Sequence, residues 1–434
     1  MDFEQQQQNI RLSALMSAGK LGIEPGKLTG NVVVPQSKSV AHRALIMAFL
    51  DGDVSLAKID EAHASDDIIA TKTALLQLQK YRNGDGKNLE PVEIDCKESG
   101  STLRFLIPLV AVLGIPTVFS GHGRLPKRPI REYEGVFSGS GAQMLYRDQT
   151  GLTLPLEIKG KMKAGEYILP GNVSSQYISG LLMALSNEEE PSRIILSTDL
   201  ESEPYVNMTL DVMRDFGCNV IREKTGYYLS GRPGMPRSSA YDVEADYSQA
   251  AFWLVANYLG SALCLTNLPG KTSQGDKAIE TLLAGLRQAE MTGNGKHVFE
   301  MDARDVPDLV PVFAVAAAAT DCETHIIHAE RLALKESDRL ASTAGLLQVL
   351  GADVEVTSDG LTIRGKSVNG GKVFSGGTID THKDHRLVMA AAVAATVAKD
   401  TIWIKDPVAV EKSYPTFFKE YLDLGGTIHG INVG

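Results

Sequence analysis

The sequence lacks several features that would each point to a particular class of protein. Its four cysteines are scattered through 434 residues, and none of them belongs to a Cys-x-x-Cys pair. This distribution argues against a disulfide framework or a zinc cluster and is typical of a reducing cytoplasm. The longest apolar stretches, at 309–319 and 387–398, are shorter than a membrane span. We interpret both as buried helices.

An excess of positive charge is also lacking. With 43 lysines and arginines against 53 aspartates and glutamates, the formal net charge is −10. Because nucleic-acid binding needs a basic face, we expect no nucleic-acid partner, and any anionic ligand must be bound by a local basic cluster. Residues 1–20 have no apolar core of the signal-peptide type, so we expect a cytoplasmic protein without a membrane partner.

What the sequence does contain is a pattern that occurs six times: a short apolar strand, a polar turn, and a helix rich in alanine and leucine. The turns lie at 36–39, 98–101, 172–175, 245–248, 305–308 and 382–385. Regular recurrence predicts repeated structural units. Each turn precedes a helix N-terminus, where anions are attracted, so the turns also indicate where a ligand could bind.

The best-defined repeat predicts the architecture. Segments 312–319 and 337–350 have helical character, 325–328 is a strand, and the alternating residues on either side of 358–360 indicate a hairpin. Six such β-α-β-α-β-β repeats predict an α/β fold with three repeats in each of two domains. We place residues 1–35 and 246–434 in one discontinuous domain and 36–245 in the other, with the active site in the cleft between them.

The first turn combines a lysine, a serine and an arginine. Lys38 stands at the mouth of the predicted helix, where a cation opposes the helix dipole, and a bound anion would resolve that conflict. Ser39 and Arg43 are four residues apart and share one helix face. The alternative is a solvated Lys38 with Ser39 as an ordinary N-cap.

The next two turns and the loop between them offer further anion-binding groups. Gly100 lies between two serines and allows backbone N–H groups to approach a ligand. Ser174 and Ser175 place hydroxyls at a helix start, although capping alone would also explain them. Arg128 precedes Pro129 and is expected to be extended, with plain solvation as the alternative.

Two carboxylates in the C-terminal half are candidates for acid–base chemistry. Asp308 follows Pro307 and is either an N-cap or a general base. Glu336 lies between Lys335 and Arg339, so two cations and a carboxylate crowd one predicted helix start. An exposed ladder of ion pairs is the alternative, but such pairs stabilise little.

Metal and nucleotide motifs are incomplete. Neither His382 with His385 nor His63 with the two following aspartates forms a full set of metal ligands. No P-loop or Rossmann glycine pattern opens a helix. We therefore expect no metal and no bound cofactor.

Taken together, the motifs resemble the 5-enolpyruvylshikimate-3-phosphate (EPSP) synthase family of enolpyruvyl transferases. They are Pro35-Gln-Ser-Lys-Ser-Val-Ala-His-Arg, Glu98-Ser-Gly-Ser-Thr-Leu-Arg, Leu125-Pro-Lys-Arg-Pro-Ile, Ser174-Ser-Gln, Val306-Pro-Asp, Lys335-Glu-Ser-Asp-Arg and Asp384-His-Arg. Their order matches the family from about residue 28 to the C-terminus, and they are specific jointly rather than singly. The resemblance implies a two-domain inside-out α/β barrel, in agreement with the six repeats.

The resemblance also implies a reaction and a set of site residues. The enolpyruvyl group of phosphoenolpyruvate moves to the 5-hydroxyl of shikimate 3-phosphate, and phosphate leaves. The residues implied for shikimate 3-phosphate are Lys38, Ser39, Arg43, Ser174, Ser175, Gln176, Ser202, Asp308 and Lys335. Those implied for phosphoenolpyruvate are Lys38, Gly100, Arg128, Gln176, Arg339, Arg386 and Lys412.

Addition followed by elimination needs a base for the hydroxyl and an acid for the methylene carbon. By the resemblance, Asp308 is the expected base, and Glu336 and Lys38 are the candidates for proton donation and return. Arginines bind carboxylate and phosphate groups bidentately without losing their charge. Because cations of the two domains repel one another until anions arrive, we expect the domains to close around the substrates. We also expect the protein to be a monomer.

Two other interpretations share this scaffold. The UDP-N-acetylglucosamine enolpyruvyl transferases usually carry a cysteine in the loop corresponding to 124–131, and this loop has none. A non-catalytic phosphosugar-binding protein should lack the carboxylates of Asp308 and Glu336. One departure from the EPSP synthase pattern is Arg331, at a position where many members have asparagine.

Overall fold

The computed structural model describes residues 16–17, 19–84, 90–148, 151–231, 240–292, 298–367 and 371–430. The loosely attached segment expected at 5–8 lies outside these residues. The chain divides into two compact units, each with its own hydrophobic core. Unit 1 consists of Met1–Pro35 and Ala245–Gly434, and unit 2 of Gln36–Glu244.

The α-helices that position the site are, in chain order, α1 (Lys38–Leu50), α2 (Asp66–Asn83), α3 (Gly100–Leu113), α4 (Glu132–Phe137), α5 (Ser175–Leu185), α6 (Glu203–Asp215), α7 (Tyr247–Tyr258), α8 (Ile279–Thr292), α9 (Val310–Ala318), α10 (Arg339–Val349), α11 (His385–Ala394) and α12 (Phe417–Asp423).

The strands, in chain order, are β1 (Lys20–Ile23), β2 (Thr29–Val32), β3 (Ala57–Lys58), β4 (Val92–Asp95), β5 (Thr117–Ser120), β6 (Ala142–Tyr146), β7 (Leu156–Gly160), β8 (Glu166–Leu169), β9 (Ser192–Leu196), β10 (Val220–Glu223), β11 (Gly226–Leu229), β12 (Tyr241–Asp242), β13 (Ala262–Leu265), β14 (Val298–Asp302), β15 (Glu323–Ile327), β16 (Asp353–Val356), β17 (Leu361–Arg364), β18 (Gly377–Ile379), β19 (Ile402–Lys405) and β20 (Ile428–His429).

Unit 2 contains two four-stranded sheets of the same topology. Strands β4 and β5 run parallel, β7 pairs antiparallel with β5, and β6 pairs with β7 at the edge. Strands β8 to β11 repeat this arrangement. Each sheet, with its helices, is therefore a β-α-β-α-β-β repeat. Strands β3 and β12 form a separate parallel pair.

Unit 1 is built in the same way, and one of its sheets explains why it is discontinuous. Strands β14 to β17 form one four-stranded sheet. The other has the order β18-β19-β1-β20, so the N-terminal strand completes the last repeat of the chain. Ile23 pairs with Ile402 on one side and with Ile428 on the other. The final repeat is thus closed by residues from the opposite end of the sequence.

The predicted α/β class is confirmed, but two repeats have fewer strands than expected. Strand β2 pairs only with β13 and β3 only with β12 in the sheets described. The chain leaves unit 1 after β2 and leaves unit 2 after β12. Strand β2, which precedes helix α1, therefore pairs within unit 1, and strand β12, which precedes helix α7, pairs within unit 2. In the described ranges, no hairpin follows α2 or α8.

Alanine-rich helices fill both cores. Every residue of α9 and of α11 is buried, which confirms the interpretation of 309–319 and 387–398 as buried helices. Helix α3 of unit 2 is buried along almost its whole length. Several strands instead bury alternate residues only, as expected for sheets that cover a helical core. Within the described residues, no helix combines the length and apolarity needed to cross a membrane.

Candidate active site

All six polar turns lie directly before helical segments, as predicted. In five of them a serine or aspartate side chain accepts a hydrogen bond from the backbone of the first turn; these caps are Ser37, Ser99, Ser174, Asp246 and Asp384. Such caps fix the direction in which each chain segment enters its helix. The alternative that Ser39 is an N-cap is wrong, because Ser37 fills that position.

Asp308 does not cap a helix either. It lies within the 3-10 turn Pro307–Leu309, whose N-cap residue is Val306 and which has no side-chain cap. Its carboxylate instead accepts hydrogen bonds from Arg339 Nη1 at 2.8 Å and from Arg386 Nη2 at 2.9 Å. The N-cap interpretation of Asp308 is therefore wrong, and the carboxylate belongs to a cluster of charges.

Arg339 is the centre of this cluster. It is 1% exposed and binds three carboxylates: its Nε lies 2.9 Å from Asp384 Oδ2 and its Nη2 lies 2.6 Å from Glu336 Oε2, in addition to the bond to Asp308. Asp384 also accepts a hydrogen bond from the backbone N–H of Arg386. An exposed ladder of ion pairs is thus excluded as an explanation of the 335–339 motif.

The local backbone differs from the predicted single helix start. Lys335 follows the 3-10 segment Glu330–Leu334, and helix α10 begins only at Arg339, with Asp338 as its N-cap. Glu336 therefore stands outside the helix, where it can turn back to Arg339. The ammonium of Lys335 lies 3.7 Å from Asp308. The cluster in unit 1 thus contains three cations and three carboxylates: Lys335, Arg339 and Arg386 with Asp308, Glu336 and Asp384.

The charges of the cluster perturb one another. Burial alone would raise the pKa of the Asp308 carboxyl, but the charges of Arg386, Lys335 and Arg339 outweigh it and hold the pKa well below its usual range. Burial alone would lower the pKa of Arg339, but Asp384, Glu336 and Asp308 raise it. The Asp308 side chain is 19% exposed and that of Arg339 only 1%, so the carboxylate is the more accessible of the two groups.

Lys412 stands at the edge of the same region. It ends the 3-10 segment Pro407–Lys412, and its ammonium donates a hydrogen bond to the carbonyl oxygen of Lys383 at 3.0 Å. Lys383 lies in the turn that leads to Arg386. The structure therefore places Lys412 beside the sixth turn, next to the segment that carries the arginine.

In unit 2, Lys38 is paired rather than solvated. Its ammonium lies 2.9 Å from Oδ2 of Asp67, in the first turn of helix α2. The conflict expected between Lys38 and the helix dipole is therefore met by a carboxylate of the protein itself. Both side chains remain partly exposed, at 17% and 15%, so a ligand could still reach them.

Arg43 is a buried cation that donates its hydrogen bonds to neutral groups. It is 2% exposed, and its guanidinium binds Thr209 Oγ1 at 2.7 Å, Ser39 O at 2.6 Å and Tyr205 O at 2.9 Å. Burial lowers its pKa to about 10. Arg43 therefore keeps a positive charge on the side of unit 2 where helix α1 begins.

Gly100 is explained by the close approach of Arg128. A Cβ atom at Gly100 would lie 2.7 Å from Arg128 Nη1 and 2.9 Å from its Cζ. The sequence suggested that this glycine admits a ligand to the backbone, whereas in the structure the guanidinium of Arg128 lies close to it. Only a residue without a side chain leaves the guanidinium in this position. Arg128 itself is extended, as predicted from Pro129.

Gln176 joins two of the helix starts in unit 2. Its Oε1 accepts a hydrogen bond from Arg104 Nη1 at 2.6 Å, and its Nε2 donates to Ser101 Oγ at 2.9 Å. Ser174 and Ser175 begin the helix that carries Gln176, and Ser175 is buried. The second and third turns are therefore held side by side.

Ser202 lies further along the same unit. It precedes helix α6 with a left-handed backbone, φ 55°, which serine adopts rarely. Its side chain is buried, and helix α6 also supplies Thr209 to Arg43. The strained serine and the buried arginine are thus positioned by one helix.

Three residues that hold this arrangement together were not among the predicted site residues: Asp67, Arg104 and Asp384. Arg104 and Asp384 lie inside two of the recognised motifs, but the spacing of a motif does not show which side chains its residues contact. Asp67 pairs with Lys38 from a different helix, which no local pattern could predict. In the part of the chain that the structure describes, no group of three metal-binding side chains occurs.

Comparison with known proteins identifies the family. The family model described as EPSP synthase (3-phosphoshikimate 1-carboxyvinyltransferase) matches residues 23–421. A 3-phosphoshikimate 1-carboxyvinyltransferase of Clostridium perfringens is 39% identical over 95% of this chain and 99% of its own, and one of Clostridium beijerinckii is 38% identical over 96% and 100%.

Solved structures agree on the fold. An EPSP synthase from Acinetobacter baumannii matches with a TM-score of 0.72 at 23% identity, over 94% of this chain and 99% of that one. The enolpyruvyl transferase NikO from Streptomyces tendae matches with a TM-score of 0.65 at 16% identity, over 94% and 98%. On the match of the family model and the identity of the clostridial relatives, this chain belongs to the EPSP synthase family.

Proposed function

We propose that the charged residues gathered in each unit carry out the family reaction, and we assign their roles below. As a member of this family, the protein catalyses the 3-phosphoshikimate 1-carboxyvinyltransferase reaction, in which the enolpyruvyl group of phosphoenolpyruvate moves to the 5-hydroxyl of shikimate 3-phosphate. The observation that carries the assignment is Asp308, held by Arg339 and Arg386 with Glu336 and Lys335 beside it.

Arg339 and Arg386 are the proposed ligands of phosphoenolpyruvate in unit 1, with Lys412 beside them. In the structure both arginines bind Asp308, so the anionic substrate must replace a carboxylate of the protein. The exchange preserves the ion pairing of two buried guanidiniums, which would otherwise be costly. The same exchange frees Asp308.

That release gives Asp308 its proposed role as the general base. While two arginines and Lys335 surround it, its pKa is far below the range in which a carboxylate accepts a proton from a hydroxyl. Transfer of the arginines to phosphoenolpyruvate removes the strongest of these influences and raises the pKa. The base would thus be activated only when the second substrate is present.

Glu336 and Lys38 are the two proposed proton donors. Glu336 is 23% exposed and is bound by Arg339, so it stands next to the same substrate anion. Lys38 is bound by Asp67 in unit 2. Glu336 and Asp308 bind the same arginine, Arg339, which favours Glu336 as the proton donor that works with the base. Lys38 is then the proposed stabiliser of phosphate charge.

The residues of unit 2 are proposed to bind both substrates. Arg43, Ser39 and Ser202, together with Ser174, Ser175 and Gln176, supply a cation and hydroxyl or amide groups for shikimate 3-phosphate. Arg128 and the backbone at Gly100 supply the phosphoenolpyruvate contacts on this side. The hydrogen bonds of Gln176 to helix α3 support a joint role of the second and third turns.

Removal of the proposed base or of its partner tests the assignment. We expect Asp308→Asn and Glu336→Gln to bind shikimate 3-phosphate while kcat falls by roughly a hundredfold or more, since general acid–base catalysis contributes about 10² to 10⁴. The measurement is phosphate release from phosphoenolpyruvate, with shikimate 3-phosphate and separately with UDP-N-acetylglucosamine as acceptor.

Matched controls separate charge loss from misfolding. Glu330→Gln removes a carboxylate from the adjacent 3-10 segment and should leave kcat unchanged. Near-normal turnover of both Asp308→Asn and Glu336→Gln would remove them from the catalytic residues. Release of phosphate with the nucleotide sugar in place of shikimate 3-phosphate would overturn the acceptor assignment.

We also propose that the protein acts as a cytoplasmic monomer. The scattered cysteines support the cytoplasmic location, and the net charge of −10 disfavours binding to anionic nucleic acids and membranes. Sedimentation of the full chain, with and without both substrates, tests the oligomeric state; a stable dimer would contradict it.

A further inference from the structure

Asp276 is a buried carboxyl that the proposed reaction does not use. It lies in the 3-10 segment Gly275–Ala278 and is 4% exposed. Its Oδ2 accepts a hydrogen bond from Ser248 Oγ, and its Oδ1 is buried without a hydrogen-bond partner among the described residues. An ionised oxygen in such a position loses its hydration without compensation. The geometry therefore suits a carboxyl that holds a proton.

Charged groups on three other segments act electrostatically on Asp276. Asp308 comes from the Pro307–Leu309 turn and Asp246 from the start of helix α7, and both disfavour a further negative charge. Arg386, from helix α11, favours it. Asp276 therefore interacts electrostatically with both the proposed base, Asp308, and one of the proposed phosphoenolpyruvate ligands, Arg386.

The titratable neighbours of Asp276 in the sequence, Lys277 and Glu280, make their contacts elsewhere. Lys277 donates a hydrogen bond to the carbonyl oxygen of Gly270, and its ammonium lies over the ring of Tyr247. Glu280 accepts a hydrogen bond from the Tyr247 hydroxyl at 3.3 Å. Neither supplies the missing partner of Asp276 Oδ1.

In these surroundings, the protonation of Asp276 depends on the charge at Arg386. Burial raises the pKa of the Asp276 carboxyl to about 7; Asp308 adds to the effect, and Arg386 opposes it. An anion bound at Arg386 would offset the positive charge that opposes protonation. Binding of the anion then favours the neutral acid.

We propose that Asp276 is a positioning residue that takes up a proton from solvent when phosphoenolpyruvate binds at Arg386 and returns it when the anion leaves. The proton keeps a third buried carboxylate from repelling the substrate while Asp308 remains ionised. This inference rests on the proposed assignment of Arg386 to phosphoenolpyruvate.

Linkage fixes the sign of the expected effect. A proton taken up on binding makes the affinity for phosphoenolpyruvate fall as the pH rises through the pKa of Asp276. In Asp276→Asn the side chain is always neutral, so this fall is absent. Ionisation of the substrate itself is the same for both proteins and cancels in the ratio of their dissociation constants.

The test is the Kd of phosphoenolpyruvate, measured by calorimetry for the full chain between about pH 6 and about pH 8.5. We expect the ratio of the wild-type Kd to that of Asp276→Asn to rise roughly three- to tenfold across this range, since one unit of pKa shift is a factor of ten. Parallel profiles, or a loss of affinity by the same factor at every pH, would overturn the inference.

Three further variants keep the outcome interpretable. Glu280→Gln removes an exposed carboxylate from the adjacent helix α8 and should give a profile parallel to the wild type. Ser248→Ala removes the hydrogen-bond donor that stabilises ionised Asp276, so the fall in affinity for phosphoenolpyruvate should move to higher pH. A fall at the same pH as in the wild type counts against the proposal.

Arg386→Gln separates failure of this inference from failure of the proposed function. If this variant binds phosphoenolpyruvate like the wild type, the proposed function itself fails. If it binds weakly while the Asp276→Asn profile stays parallel to the wild type, only this inference fails.

Discussion

At the scale of single residues, the site is built from cations that already have partners. Arg339 and Arg386 bind Asp308, Lys38 binds Asp67, and Arg43 is surrounded by neutral hydrogen-bond acceptors. In an acidic protein this pairing keeps the basic residues in place without a ligand. The proposed exchange in unit 1 needs an anionic substrate that replaces Asp308 at both Arg339 and Arg386.

Substitution of Gly100 tests whether Arg128, whose guanidinium lies close to it, binds phosphoenolpyruvate. In Gly100→Ala the new methyl would lie within 3 Å of the Arg128 guanidinium and displace it. We expect the KM for phosphoenolpyruvate to rise by roughly three- to tenfold, about 0.7–1.4 kcal/mol, with a smaller effect on kcat. Steady-state kinetics at saturating shikimate 3-phosphate measure both constants.

Gly135 provides the matched control in the same unit. It lies in helix α4, and an added Cβ meets nothing within 4 Å. Gly135→Ala should leave the KM for phosphoenolpyruvate unchanged and stabilise the helix slightly. An equal KM for wild type and Gly100→Ala would mean that Arg128 has no part in binding the substrate.

At the scale of elements, capped helix starts bring the polar turns together. Ser99 Oγ accepts hydrogen bonds from Thr102 N at 3.1 Å and from Thr102 Oγ1 at 2.7 Å, and Thr102 in turn contacts Thr71 of helix α2. The start of α3 is thus tied both to its own backbone and to a neighbouring helix. This network positions Gly100 and Ser101.

Loss of this cap should weaken unit 2. For Ser99→Ala we expect a loss of about 1–2 kcal/mol in the free energy of unfolding, because a buried cap and its hydroxyl partner are both affected. Thermal and urea unfolding of the variant, beside the exposed control Ser138→Ala, measure the difference. Equal stability of the two variants would contradict the role given to the Ser99 cap.

The elements themselves could be predicted well because their signals are local. Polar turns before alanine-rich segments predicted all six helix starts, and the hairpin at 353–364 was expected from its alternation. The missed strand pairing depended on contacts distant in sequence, because the two-stranded sheets arise where the chain passes between units. The Ser39 cap failed for a local reason, since the helix begins two residues earlier than expected and Ser37 caps it.

At the scale of the whole molecule, order along the chain carried more information than any single motif. The family, the reaction and the α/β class follow from the joint order of the motifs and are confirmed by the comparisons. The residue roles remain predictions. Spacing could not show that Asp308 is held by Arg339 and Arg386, because these residues come from three segments of unit 1.

The central claim is that phosphoenolpyruvate replaces Asp308 at Arg339 and Arg386, and that the released carboxylate then acts as base. The most direct measurement is the Kd of phosphoenolpyruvate for Asp308→Asn by calorimetry, beside its kcat. We predict binding as tight as or tighter than in the wild type, because the competing charge is gone, with kcat reduced by roughly a hundredfold or more. Weaker binding of phosphoenolpyruvate together with near-normal turnover would contradict the account.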